Sequence, residues 1–197
     1  MLFRANKTNL YWQEIDGEKV EYLREGLDFL DKCEFKVKSF TLDGRRGFIN
    51  YLRKRYPNIP IQLCQFHQTM IITRYNTNNP KTPCGKDLKA LIKTLTISDR
   101  EEFTNAFNKL KIKYAAFLKE RNEHGQFKHK RLRSAFRSIK TNLPYLFTYK
   151  DCPELNIPNT TNTCDGYFAH LKQKIKIHRG LKHHRRKKMI YFYLENL

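Results

Sequence analysis

A change of period near residue 76 constrains this fold more than any other feature of the sequence. Before it, short β-prone runs alternate with amphipathic helical patterns. Leu2-Phe3 and Leu10-Tyr11-Trp12, parted by Asn6-Lys7-Thr8-Asn9, predict a hairpin; Val20, Leu23, Leu27 and Leu30 then predict a helix. A strand over Phe35–Leu42 ends in Asp43-Gly44, and Phe48, Ile49 and Leu52 open a helix stopped by Tyr56-Pro57. Pro60–Cys64 is a further strand, followed by a helix over His67–Tyr75. This alternation predicts an α/β chain with a three-layer sheet.

After a polar linker at Asn76–Pro83, only helical spacing remains. Leu88, Leu91, Ile92 and Leu95 mark one helix. Phe103, Phe107, Leu110, Tyr114, Phe117 and Leu118 mark a longer one behind the capping box Ser98-Asp99-Arg100-Glu101. Leu132, Ala135, Phe136 and Ile139 mark a third. A second linker lies between Pro153 and Pro158, and closing helices follow around Phe168, Leu171 and Ile175, then around Met189, Tyr191 and Leu194. The expected divisions are thus 1–76, a helical insertion at 77–158, and closing helices at 159–197.

Charge is as unevenly placed as period. The chain carries 39 Lys+Arg against 19 Asp+Glu, a formal +20. Residues 1–50 are balanced at nine of each sign, whereas 51–150 hold 21 basic against 6 acidic side chains. Basic residues interleave with aromatics in 129–140 and 183–194, which points to a polyanion, nucleic acid before membrane. Arg131, Arg133, Arg137, Lys172, Arg185 and Arg186 are the candidate DNA contacts. No apolar run approaches a bilayer span, and the first residues lack a secretory h-region. Five irregularly spaced cysteines fit thiols or metal ligands in a reducing cytosol.

Three short segments could carry chemistry. Asp43 falls where a strand stops, which also suits an ordinary Asp-Gly turn. Asp165 follows Asn159-Thr160-Thr161-Asn162 and would suit a first helical turn, where acids complement the macrodipole. Cys64-Gln65-Phe66-His67 is half of a zinc pattern, with His178 and His183 as candidates for the other half; a half-buried Cys beside a helix-start His is the plainer alternative.

Taken in order, these segments resemble DDE-type bacterial insertion-sequence transposases of the Mutator-like branch. The matching text is Asn9-Leu10-Tyr11-Trp12, Thr41–Gly47, Ile59–Gln68, Arg131–Ser138, Asn159–Asn162 and His178–Leu181. The resemblance implies an RNase H-like mixed sheet interrupted by an all-helical insertion. It implies Asp43 and Asp165 as the second and third catalytic acids, both binding Mg²⁺, and places the family's C-x-x-H pair on Cys64 and His67, where the spacing itself suggests structural Zn²⁺. No residue here matches the family's first Asp, so the expected sheet is incomplete, with its first strand missing. Asp165 stands where the family usually has Glu. The expected product is the catalytic region of a transposase, N-terminally truncated and inactive alone. Its partners would be the DNA of the element ends and target, and full-length transposase or further copies of itself. The expected location is cytoplasmic and nucleoid-associated, without membrane. A non-catalytic, basic DNA-binding or regulatory protein derived from a transposase is the alternative.

Overall fold

The computed structural model describes residues 1–5 and 8–195. The chain is α/β and mostly helical, and it divides into two compact units. The first comprises Met1–Val37, Arg46–Asn58 and Thr161–Leu197; the second comprises Lys38–Arg45 and Ile59–Thr160.

In the first unit, β1 (Leu2–Ala5) pairs antiparallel with β2 (Thr8–Trp12), so the expected hairpin is present. Asn6 and Lys7 of its expected turn lie outside the described residues. Helix α1 (Val20–Lys32) buries Leu23, Leu27 and Leu30. Gly26 lets α1 press onto the hairpin: a Cβ there would meet Phe3 Cε2 at 2.3 Å and Tyr11 Cδ1 at 2.9 Å. Helix α2 (Arg46–Arg55) buries Ile49 and Leu52, and Arg55 holds Asp28 and Asp31, each at 2.6 Å. Helices α9 (Asn162–Ile177) and α10 (His183–Glu195) complete the unit. Asn9 joins both to the hairpin, donating to Tyr167 Oη and to the Leu194 carbonyl at 2.9 Å each.

The second unit holds β3 (Phe40–Leu42) and β4 (Ile61–Leu63), paired parallel in the register Phe40↔Ile61, Thr41↔Gln62, Leu42↔Leu63. Helices α3 (Gln65–Asn76), α4 (Pro83–Lys93), α5 (Arg100–Lys113), α6 (Ala115–Lys119), α7 (Lys130–Asn142) and α8 (Thr148–Asp151) belong to the same unit. Leu88, Leu95, Phe103, Phe107, Ile139, Leu146 and Phe147 are almost wholly buried and form its core. Pro83 opens α4 rather than closing a linker, since its fixed φ and absent N–H suit a first helical position.

In place of the expected three-layer sheet, the described residues form two sheets of two strands, one antiparallel and one parallel. The strand expected over Phe35–Leu42 shrinks to Phe40–Leu42, and the C-terminus of α1 takes up Phe35. Phe35 N–H donates to Leu30 O at 2.9 Å and Glu34 N–H to Asp31 O at 3.0 Å, with Glu34 at φ +54°. That is a Schellman motif with glutamate in the left-handed position. The capping box sits one residue later than expected. Asp99 accepts from Glu102 N–H at 2.8 Å while the Glu102 carboxylate accepts from Asp99 N–H. The long helix over 103–118 breaks at Tyr114 into α5 and α6.

Candidate functional site

Two parallel strands ending side by side build the site. After the last register pair, Leu42↔Leu63, the Cys64 N–H still donates to the Leu42 carbonyl at 2.8 Å. Asp43 and Cys64 therefore leave the sheet together at the carboxyl ends of β3 and β4. Gly44 then turns the chain away at φ +95°, a conformation that L side chains rarely adopt. Cys64 is the N-cap residue of α3 and His67 lies in its first turn. The spacing of three along a helix start sets both side chains on one face.

The result is a compact trio. His67 Nδ1 lies 3.2 Å from Asp43 Oδ1, and one donor atom each from Asp43, Cys64 and His67 all fall within 4.8 Å of one another. Its exposure is graded: Cys64 is 1% exposed, the His67 side chain 31% and the Asp43 side chain 57%. The site thus has a buried sulphur, a half-covered imidazole and an open carboxylate. Among the described residues it is the one cluster of three or more such groups with metal-ligand geometry.

Three buried glutamines fix the frame, and their role was not legible in the sequence. Gln62 Nε2 donates to Leu146 O at 3.0 Å, and its Oε1 accepts from Tyr149 N–H at 2.9 Å. Gln65 Nε2 reaches Leu146 O at 2.9 Å and Leu95 O at 3.2 Å. Gln68 accepts from Asn142 Nδ2 at 2.7 Å. Buried polar groups must be satisfied: Gln62 and Gln65 do so on backbone carbonyls, and Gln68 on the side chains of Asn142 and Ser138. They tie β4 and the start of α3 to the segments around Leu95, Asn142 and Leu146.

Asn159 joins the same frame. Its carbonyl accepts from Gln65 N–H at 2.9 Å and its side chain donates to Gln65 Oε1 at 3.1 Å. Thr41 Oγ1 donates to the neighbouring Pro158 carbonyl at 3.0 Å. The start of the Asn159–Asn162 segment is therefore a positioning element, and its end opens α9.

Asp165 belongs to the other unit, in the exposed first turn of α9, where it accepts from Thr161 Oγ1 at 3.2 Å. His178 and His183 also belong to that unit and are exposed, whereas Cys64 and His67 belong to the Asp43 unit. Within its own unit, the C-x-x-H pair has Asp43 as its third candidate ligand.

The basic candidates differ in setting. Arg131 and Arg137 are exposed on α7, and the Arg131 guanidinium also donates to the Arg74 carbonyl. Arg133 is half-buried: it donates to Leu118 O at 2.8 Å and lies 3.5 Å above the Phe127 ring. Lys172 and Arg185 are exposed on α9 and α10, and Arg186 is half-covered. Among the described residues no helix is long and apolar enough to cross a membrane.

No family model, curated protein or solved structure matches this chain.

Proposed function

We propose that this chain is catalytic-region material of a DDE-type insertion-sequence transposase with an RNase H-like fold, acting on DNA in the cytoplasm at the nucleoid. The observation that carries the reading is the meeting of two motifs, Thr41–Gly47 and Ile59–Gln68, at the carboxyl ends of parallel strands. Asp43 and the C-x-x-H pair are 21 residues apart in sequence, yet their side chains share one site. The order of antiparallel hairpin, helix, strand, helix and parallel strand also agrees with that fold.

In this reading Asp43 is a ligand for Mg²⁺, which takes carboxylate, water and phosphate oxygens together, and the resemblance gives Asp165 the same role. When bound, the metal activates the attacking hydroxyl and stabilises the leaving oxygen of an in-line displacement. This chain's residues hold the carboxylates in place: Gly44 and the β3–β4 pair for Asp43, and the Thr161 hydroxyl for Asp165. The family's first acid has no match among these residues, and in this reading the chemistry needs it from a further segment or from a partner such as full-length transposase.

The test is cleavage and strand transfer on DNA bearing the element's ends, with Mg²⁺ or Mn²⁺. The chain is assayed alone and with a segment carrying the family's first acidic strand. Activity only in the supplemented reaction, abolished by Asp43→Asn and by Asp165→Asn, is the expected result. Supplemented activity indifferent to both substitutions would overturn the reading.

The second reading, a basic DNA-binding or regulatory protein without chemistry, is favoured by one observation. Arg131, Arg137 and Lys140 are exposed on a single helix inside the segment of greatest positive excess. It expects DNA binding and no cleavage under any supplement.

A further inference from the structure

We propose that Asp43, Cys64 and His67 form a binding site for one thiophilic divalent cation, Zn²⁺ in the first instance, with a fourth position left to water. The donor set is one sulphur, one nitrogen and one oxygen. Carboxylate and water alone suit Mg²⁺, whereas thiolate and imidazole select softer ions. Three protein ligands and an open position is also the arrangement of zinc sites that exchange their fourth ligand.

Distances agree with that assignment. Two ligands about 2.0–2.1 Å from a tetrahedral zinc are roughly 3.3 Å apart, and His67 Nδ1 and Asp43 Oδ1 are separated by 3.2 Å. The Cys64 sulphur lies no more than 4.8 Å from the other donors, against roughly 3.6 Å around a tetrahedral zinc. Adjustment of the exposed Asp43 carboxylate and the half-covered imidazole closes that gap. The remaining requirements of a metal site are a rigid second shell and an entry path. Gln65 and Gln68, on either side of His67 in sequence, are themselves buried and held by hydrogen bonds of 2.9 and 2.7 Å. The graded exposure, sulphur at the bottom and carboxylate at the mouth, provides the path.

The metal-binding claim stands without the transposase reading; one consequence rests on that reading. A zinc ion held by Asp43 takes the same carboxylate that Mg²⁺ requires, so zinc would hold the enzyme inactive. This is a regulatory use of the site that the sequence pattern does not suggest.

The test is Co²⁺ titration of the full, chelator-stripped chain, followed in the visible and near-ultraviolet. One equivalent should produce a thiolate-to-cobalt charge-transfer band, displaced by Zn²⁺. Cys64→Ser should abolish the band, while Cys84→Ser, at a buried thiol elsewhere, should keep it. Asp43→Asn, an exposed substitution that leaves the core untouched, should weaken Zn²⁺ affinity by about 10-fold or more. The double variant His178→Ala/His183→Ala should bind as the parent does. Absence of the band, its survival in Cys64→Ser, unchanged affinity in Asp43→Asn, or loss of binding in the double histidine variant would each overturn the three-donor site. None of these readouts depends on DNA cleavage, so failure of the transposase reading leaves them intact.

Discussion

The backbone N–H of Cys64 donates to the carbonyl of Leu42 at 2.8 Å, one step beyond the last register pair of the parallel strands. That single bond keeps the sheet closed to its very end, and so brings Asp43 alongside Cys64. Everything proposed for the site depends on it, because the strands are only three residues long and tolerate no slip.

Gly44 should therefore be a sensitive position. Its φ of +95° is strained for any residue with a Cβ, although the nearest atom to such a Cβ, Leu63 Cδ1, is at an ordinary 3.6 Å. Gly44→Ala should cost about 1–3 kcal/mol in denaturant unfolding and weaken metal binding by moving Asp43. Gly125→Ala, at φ +70° with open space around it, should cost stability and leave metal binding unchanged. Equal metal binding in both variants would show that Gly44 does not set the carboxylate.

Gln65 should behave as a structural residue of the site. Replacing it with Leu keeps the volume but leaves the Leu95 carbonyl and the Asn159 side-chain amide without their Gln65 partner, while the Leu146 carbonyl keeps only its bond from Gln62. Unsatisfied buried groups cost roughly 1–3 kcal/mol each, so a loss near 3 kcal/mol in urea unfolding, with unchanged m-value, is expected. A loss below about 0.5 kcal/mol would mean that water replaces those bonds.

These glutamines also mark where sequence reasoning stopped. Hairpin, helices and strand ends were legible because apolar periodicity reports burial. Gln62, Gln65 and Gln68 report nothing of the kind, since a polar side chain reads as solvated until its partners are known. The parallel register that joins Asp43 to Cys64 is likewise a long-range pairing with no local signal. At the capping box two overlapping patterns, Ser98 to Glu101 and Asp99 to Glu102, satisfy the same rule, and only backbone geometry selects the second.

The Schellman turn was missed for a related reason: its diagnostic glycine is absent. Glu34 occupies the left-handed position at φ +54°. An L residue pays roughly 1–2 kcal/mol there, part of which glycine returns as unfolded-state entropy. Glu34→Gly should thus stabilise the chain by about 0.5–1 kcal/mol, raising its thermal midpoint by a few degrees. A lower midpoint would show that the glutamate side chain contributes more than its backbone costs.

Acid should weaken the first unit at a defined contact. The hydrogen bond from Arg55 holds the Asp31 carboxyl below its ordinary value of 3.8, with Tyr56 adding a second bond and burial opposing both. A carboxyl lowered in the folded state stabilises it above the unfolded value, and that contribution disappears as pH falls through the lowered one. Asp31 is about half exposed, so the contribution is small. Thermal melts of the parent and Asp31→Asn should differ at neutral pH and converge well below pH 3.8. A gap that persists unchanged in acid would assign the effect to packing instead of charge.

The last expectation separates a DNA contact from a structural arginine on one helix. Arg137 is exposed on α7, whereas Arg133 is held by the Leu118 carbonyl and the Phe127 ring. Arg137→Ala should reduce duplex DNA affinity uniformly across sequences. It should also lower the slope of log K against log[salt] by about 1, the signature of one lost phosphate contact. Unfolding free energy should change by less than about 0.5 kcal/mol, as for an exposed position. Arg133→Ala should do the reverse: it removes a half-buried charge-assisted hydrogen bond and the cation–π contact, costing roughly 1–2 kcal/mol of stability. Arg133→Met, which restores the apolar stem but not the donor, should recover part of that loss. If both arginines lower the salt slope equally while stability is unaffected, α7 presents its whole basic face to DNA, and the Arg133 contacts in the free protein give way on binding.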